Sequence, residues 1–310
     1  MKVLVTGGAG FIASHVVDAF IQNDLEVVVV DDLSAGSERN INPRAKFYKL
    51  DIRDPRLAEV FELERPDYVD HHAAQVSVRL SVERPSHDAD INVMGSLNVI
   101  DTARKYGVKK VVYVSSGGAV YGEPVYHPCD EKHPVFPICH YGVTKHTPEH
   151  YLYLYRQIYG LSYAVLRYAN VYGPRQDPLG EAGVIAIFIS QMLKNEKVTI
   201  NGSGDQERDF VHVSDVAAVN LPALTRGDGE TYNVGCGVAT SVNEIYRRLK
   251  DITCCPIEAV HGPPKLGETF KIYLDATKAE RELGWRPNIG LEDGLANTVD
   301  YFREQGKSRP

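Results

Sequence analysis

Lys2-Val-Leu-Val-Thr-Gly-Gly-Ala-Gly-Phe-Ile-Ala13, an amphipathic stretch to Gln22, and then Val27-Val-Val-Val-Asp31 present in order the parts of a dinucleotide pyrophosphate site. Lys2 to Val5 is a short apolar run of buried-strand type. Gly7, Gly8 and Gly10 follow where the chain must turn sharply and bring bare backbone N–H groups against phosphate. Gly8-x-Gly10-x-x-Ala13 fits the dinucleotide fingerprint with a small third residue. Glycines alone are weak evidence, since they also serve ordinary turns. Here an amphipathic helix follows, with Phe11, Ile12, Val16, Val17, Phe20 and Ile21 on one side, and the second strand ends in an acid. Asp31 is then the partner of the adenosine ribose hydroxyls, and its carboxylate repels a 2′-phosphate, which favours NAD over NADP.

The chain has 310 residues, 43% hydrophobic and 24% charged, with a net charge of −7. That is an ordinary soluble composition without a basic footprint, so neither nucleic acid nor a membrane is expected as a partner. No apolar run approaches a membrane span, and a first strand at Lys2 leaves no room for a cleaved signal. The expected location is cytoplasmic. Cys129, Cys139, Cys236, Cys254 and Cys255 are odd in number and lack metal spacing, which predicts free thiols and no metal site.

Apolar runs alternate with helical patterns through the first half. Strands are expected near Lys2–Thr6, Glu26–Val30, Phe47–Leu50, Tyr68–Val69, Val111–Ser115 and Tyr163–Leu166, with helices near Phe11–Gln22, Pro55–Phe61, Pro85–Tyr106 and Tyr141–Tyr159. The pattern predicts an α/β fold, a Rossmann-type doubly wound parallel sheet over residues 1–170. Residues 171–310 are richer in Gly and Pro and read as a smaller mixed α/β substrate-binding lobe. The lobes are expected to interleave, because 232–237 reads as a strand returning to the first sheet.

Tyr141-Gly-Val-Thr-Lys145 opens a helix and puts the phenol and the ammonium on one face. A phenol is a poor base at neutral pH; a nearby ammonium and a positive nicotinamide ring favour its ionised form. Val111-Val-Tyr-Val-Ser115-Ser116-Gly117 ends a strand with hydroxyls at its carboxyl end, where open α/β sheets bind ligands. Tyr151, Tyr153, Tyr155 and Tyr159 read as helix packing. His71 and His72, at a strand end, read as hydrogen-bonded structural residues.

With these motifs the chain resembles the extended short-chain dehydrogenase/reductase family, most closely its UDP-glucose (UDP-galactose) 4-epimerase branch. The resemblance runs almost end to end. Besides the glycine segment, where Gly7-x-x-Gly10 has that family's spacing, it rests on Asp51-Ile-Arg-Asp54, His71-His-Ala-Ala-Gln75, Asn92, Ser115-Ser-Gly-Gly-Ala-Val-Tyr-Gly122, Leu166-Arg-Tyr-Ala-Asn-Val-Tyr-Gly-Pro-Arg175, Arg208-Asp-Phe-Val-His212 and Leu283-Gly-Trp285. It implies that Asp51 and Ile52 hold adenine, that Ala73, Gln75, Asn92 and Tyr168 line the cofactor site with Asp32, Leu33, Ser34, Gly36, Ala74 and Ser115, and that Asn170 and Arg208 grip the substrate diphosphate. A guanidinium suits that task, although an ion pair with Asp209 or Asp215 is the plainer role. Val198 and Asn201 are implied at the substrate. It further implies that the helices 85–106 and 141–159 pair across a homodimer.

The chain departs from this pattern in three places. The catalytic Ser/Thr of many members falls on Gly117, so Ser116 or a water must supply the hydroxyl beside Tyr141, and Ser116 is taken to do so. The second phosphate-binding arginine is Lys265, in Lys265-Leu-Gly-Glu268, and Asn201 stands where a ring usually stacks on uracil. Where 4,6-dehydratases and uronate decarboxylases carry acids, this chain has Gly118 and Ala119, which points to reversible oxidation and re-reduction at C4 of a UDP-sugar. A uronate or N-acetylhexosamine substrate is the alternative, the uronate disfavoured by Glu181; a catalytically silent NAD-binding protein is the other class.

Overall fold

The computed structural model describes residues 1–178, 183–264 and 269–307. The first lobe contributes strands β1 (Lys2–Thr6), β2 (Glu26–Asp31), β3 (Lys46–Lys49), β4 (Tyr68–His71), β5 (Lys110–Ser116) and β6 (Ser162–Tyr168). Then come β7 (Asn170–Tyr172), β8 (Thr199–Asn201), β9 (Glu207–His212), β10 (Glu230–Val234), β11 (Ala239–Ser241), β12 (Val260–Gly262) and β13 (Lys271–Ile272). A parallel seven-stranded sheet runs β10-β6-β5-β4-β1-β2-β3. The chain leaves β1 toward β3 and then crosses back to β4, so a crevice opens at the carboxyl ends of β1 and β4, where such sheets bind ligands.

The inner strands are buried on both faces, which is why they read as continuous apolar runs: Val27 to Val30 are all buried. On one face the helices Phe11–Gln22 and Val213–Thr225 pack through Val16, Val17, Phe20, Val216 and Val219. On the other, Val60, Phe61, Val99, Ile100 and Leu152 come from Leu57–Glu64, Ser96–Lys105 and His140–Tyr159. The second lobe has its own core, in which Ile185, Phe188, Ile189, Ile245, Leu249, Leu295 and Val299 meet.

The lobes interleave. β7 begins two residues after β6 yet pairs with β9, while β10 returns to pair with β6. The returning strand is Glu230–Val234 rather than 232–237, because Cys236 and Gly237 leave the sheet to donate their N–H groups to Asp209 at 2.8 and 3.0 Å. The helix expected over Pro85–Tyr106 is divided into Pro85–Ala89, a wide π-type turn Asp90–Gly95, and Ser96–Lys105. The helix expected from Pro55 starts at Leu57 and continues to Glu64. All five cysteines are free, and among the described residues no helix is long and apolar enough to cross a membrane.

Candidate active site

A cleft of about 1090 Å³ crosses the carboxyl edge of the large sheet and runs on between the lobes. At its nucleotide end Gly7 has φ +71°, and a Cβ there would stand 2.8 Å from the N of Ala73, so the glycine loop packs backbone against backbone on the segment after β4. Gly10 caps the helix Phe11–Gln22 in extended conformation, and the first-turn residues Phe11 and Ile12 line the cleft. Their N–H groups and the helix dipole suit an anionic pyrophosphate. This cradle, which a side chain at Gly7 would fill, fits NAD.

Asp31 ends β2 and is 7% exposed. Its Oδ2 accepts the N–H of Ala9 at 3.0 Å and its Oδ1 that of Leu33 at 2.8 Å, so one carboxylate ties the glycine loop to the strand end. Burial raises its pKa, and the two backbone bonds oppose the rise. Asp32, Ser34 and Gly36 line the rim, joined by Asp51, paired with Arg53 at 2.5 Å, and Ile52. Leu33 contributes its N–H to Asp31 rather than a wall to the cleft.

Ala73, Ala74 and Gln75 form the next stretch of wall, but Asn92 stands behind it. Asn92 is 1% exposed; its Oδ1 accepts the N–H of Gln75, and its Nδ2 reaches the carbonyl of Gln75, Asp88 and Thr144. Asn92 is therefore a strut that holds Gln75 rather than part of the lining, and it sits in the π-type turn. Buried Asp88 completes this network by accepting from Thr144 at 2.6 Å and Gln75 at 2.7 Å. Sequence reasoning missed Asp88 and Thr144, and no local signal marks them. His71 is hydrogen-bonded at both ring nitrogens, to Thr6 and Ser96, as a structural histidine.

Further along the cleft Tyr141, Lys145, Ser115 and Ser116 line one wall. The N–H of Tyr141 donates to Oγ of buried Ser81 at 3.1 Å, which fixes the start of the helix. The Tyr141 hydroxyl hydrogen-bonds with Ser116. Burial pushes Tyr141 up to about 12, with the Ser116 bond working against the rise. Lys145 is 4% exposed, its Nζ 4.7 Å from the centroid of the Tyr113 ring, and burial pulls it down to about 8 while Glu149 and Asp88 oppose that fall. The expected lowering of the Tyr141 pKa by Lys145 is thus absent from the protein alone, where burial dominates. Ser115 donates to Glu149 at 2.6 Å, and Glu149 pairs with Arg167 through two bonds of 3.1 and 2.5 Å. Burial favours protonation of Glu149, but His146 and Arg167 together hold it down to about 2. This carboxylate too was missed, although its position one turn beyond Lys145 on the same face is a readable signal.

Gly117 is buried, and a Cβ on it would stand 2.5 Å from Cδ1 of Leu274. A serine at this position fits only if Leu274 moves. Gly118 and Ala119 line the cleft instead. Tyr168, Asn170, Asn201 and Arg208 line the far side, and the Tyr168 hydroxyl donates to Asn220 at 2.8 Å. Arg208 donates to the carbonyls of Glu207 and Phe270. Asp209 and Asp215, its alternative partners, give their oxygens to backbone N–H groups. Val198 is 1% exposed and its side chain belongs to the second core, whereas Thr199 and Asn201 face the cleft. Lys265 and Glu181 lie outside the described residues.

A doubly wound sheet, a glycine loop built for pyrophosphate and a Tyr/Lys/Ser cluster at the same crevice define a nucleotide-dependent enzyme of the dehydrogenase type. The chain matches the NAD dependent epimerase/dehydratase family over residues 3–235 and belongs to it. It is 42% identical over 313 residues to UDP-glucose 4-epimerase of Mycolicibacterium smegmatis, covering 99% of this chain and all of that one. Among solved structures it resembles the UDP-glucose 4-epimerase of Thermotoga maritima with UDP-glucose, at 50% identity and a TM-score of 0.97, covering 98% of this chain and 99% of the other. The UDP-glucose 4-epimerase of Thermus thermophilus in complex with NAD gives 42% identity and a TM-score of 0.94 over 98% of this chain and 99% of its own.

Proposed function

We propose that this protein interconverts UDP-glucose and UDP-galactose by NAD-dependent epimerisation at C4, through a transient 4-keto sugar. The carrying observation is the hydrogen-bonded Tyr141/Ser116 pair at a cleft wall where Gly118 and Ala119 bring no carboxylate. Among the described lining residues the carboxylates are Asp31, Asp32 and Asp51 at the nucleotide end, and Asp177 beyond Arg175. Elimination or decarboxylation needs a further acid–base group beside the sugar; reversible oxidation at one carbon does not.

Bound NAD supplies the acceptor for hydride and a positively charged ring. Tyr141 takes the proton of the C4 hydroxyl and returns it, with Ser116 sharing the developing charge on the oxygen. A phenol held near 12 by burial needs positive charge close by before it acts as a base at neutral pH, and Lys145 contributes part of that charge. Asn170 and Arg208 hold the diphosphate, with Lys265 as a second cation, while the sugar turns to present its other face. Gly7, Gly10, Asp31 and Asp51 hold the cofactor.

We also infer a homodimer in the cytoplasm. Val143, Leu154 and Ile158 make an apolar stripe along the outer side of His140–Tyr159, 49%, 45% and 64% exposed, with Met94 also exposed on the neighbouring helical run. Sedimentation as a single monomeric species at micromolar concentration refutes the dimer. The activity is tested by incubating purified protein with UDP-galactose and separating the sugar nucleotides. Conversion to UDP-glucose without added cofactor, with NAD released on denaturation, is the expected result. Retained NAD with no conversion would make the chain a silent nucleotide-binding protein.

A further inference from the structure

β4, the central strand of the large sheet, carries a carboxylate where its neighbours carry valines. Asp70 stands between Val5 of β1 and Val112 of β5 in register, and so shares their face, the one covered by Phe11–Gln22 and Val213–Thr225. It is fully buried, and neither of its oxygens has a hydrogen-bond partner. An anion at that depth is costly unless an opposite charge stands beside it. Among the described residues the cation within ion-pair distance is His72, whose Nε2 lies 3.0 Å from Oδ1 of Asp70 without the alignment of a hydrogen bond.

The other titratable neighbours do not supply that charge. His71 is turned away to Thr6 and Ser96, and Tyr168 of β6, its ring centroid 6.3 Å from that of His72, gives its hydroxyl to Asn220. Imidazole is a stronger base than carboxylate, so the proton that Asp70 and His72 share resides on His72. His72 also departs from the structural role expected of it, because among the described residues no protein group hydrogen-bonds either ring nitrogen. Its side chain is 5% exposed, and that exposure is to the cleft, between the glycine loop and Tyr168. A Cβ on Gly7 would stand 3.2 Å from the carbonyl carbon of His72, which sets the histidine directly beside the phosphate cradle.

We propose that His72 is a phosphate-binding group of the cofactor site, an imidazolium backed by the buried carboxylate of Asp70 that donates to the pyrophosphate of NAD. Asp70 is the positioning residue, since it keeps the ring charged and turned with Nε2 inward. The pair is neutral as a whole, so it buries no net charge in the sheet, yet it presents its positive end to the cleft beside the N-terminus of Phe11–Gln22. It thereby supplements neutral backbone N–H donors with a charge-assisted bond, about twice as strong as a neutral one. The inference rests on NAD as the cofactor and not on which sugar is turned over.

The test compares the NAD-loaded enzyme with the double variant Asp70→Asn/His72→Gln, which removes both charges together and leaves no orphaned ion in the sheet. Release of NAD, followed by exchange with excess fluorescent etheno-NAD, should be at least about tenfold faster in the variant, the loss expected when a charge-assisted bond to phosphate is removed. The phosphorus resonances of bound NAD should differ between the two proteins. In the nitrogen-15 spectrum of the wild-type holoenzyme at pH 7, the His72 ring, assigned through its bonds to the backbone, should carry a proton on both nitrogens. Release as slow as in wild type, phosphorus resonances that stay in place, or a neutral His72 ring overturns the proposal. The last measurement needs only the wild-type protein, so a variant that fails to fold leaves the proposal open to refutation. None of these readouts uses sugar turnover, so their failure is distinguishable from failure of the epimerase reading.

Discussion

Ser116→Ala isolates the hydroxyl proposed to stand in for the one missing at Gly117. Ser116 lies opposite Tyr168 in the β5/β6 register, and although it precedes the short helix Gly117–Val120 its side chain caps no backbone N–H. Its hydroxyl is therefore available to Tyr141, and that bond is the hydrogen bond that works against the rise of the Tyr141 pKa toward about 12. A neutral hydrogen bond contributes about 1 kcal/mol net, and one to a charged oxygen about 1.5–3. The upper part of that difference, about 1–2 kcal/mol, acts only as the C4–O proton leaves, so kcat should fall roughly five- to thirtyfold. KM should change by less than about threefold, because the ground state loses only the neutral bond. The assay is turnover of saturating UDP-galactose, coupled to a dehydrogenase that consumes UDP-glucose. A kcat within about threefold of wild type would remove Ser116 from the mechanism and leave a water as the donor. The companion change, Gly117→Ser, puts a Cβ 2.5 Å from Cδ1 of Leu274 and 3.2 Å from the carbonyl of Arg167. Overpacking of this kind costs about 1–3 kcal/mol, so the variant should melt earlier and fail to rescue Ser116→Ala. Rescue would mean that Leu274 yields.

Tyr141→Phe should keep its fold and bound NAD and lose at least about a hundredfold in turnover, the usual scale for a positioned acid–base group; near-normal turnover would exclude Tyr141. Asp31→Asn removes the charge that repels a 2′-phosphate and an acceptor of the Ala9 N–H, so NAD should bind more weakly and the preference over NADP should narrow. An unchanged affinity ratio would assign the choice to another group. Glu149 falls from 4.5 to about 2 in the fold, so it adds stability that is present above its ordinary pKa and is lost as pH falls through about 2. That amounts to about 3 kcal/mol. Glu149→Gln should be less stable at pH 7, with Arg167 left unpaired, and should show a flatter loss of stability between pH 4.5 and 2.5 in urea titrations. Parallel pH profiles for the two proteins would contradict this role.

The first lobe was legible because its physics is repetitive. Parallel strands covered on both faces show as unbroken apolar runs, and β1 to β6 form within two residues of their expected ends. The turn at the glycine loop, the strand end at Asp31 and the helix start at Tyr141 were legible as structure because each answers a local demand. The second lobe was not, since β7, β8, β11, β12 and β13 are two or three residues long and their pairing depends on distant partners. The side-chain directions of Asn92 and Val198 were not legible for a related reason: the resemblance says which positions lie near the ligands, while the direction of a side chain is decided by tertiary packing. The π-type turn at Asp90–Gly95 shows the same limit, because Asn92 within it is held by Gln75, Asp88 and Thr144, which no helical period connects.

Gly117 then has a packing explanation. Asp209, on β9, is buried and pushed up to about 6 by that burial, although it accepts N–H groups from Cys236, Gly237 and Leu274. This one carboxylate joins the end of the returning strand β10 to the sheet of the second lobe, and it anchors Leu274, which is 1% exposed. Leu274 in turn presses its Cδ1 into the space a side chain at residue 117 would need, and Tyr121, Val120 and Cys129 close around it. A glycine at the end of β5 is thus what lets the second lobe dock directly on that strand. The hydroxyl that chemistry requires must then come from a neighbouring position that still faces the cleft, and Ser116, bonded to Tyr141 on the wall between the nucleotide end and Asn170, meets that condition.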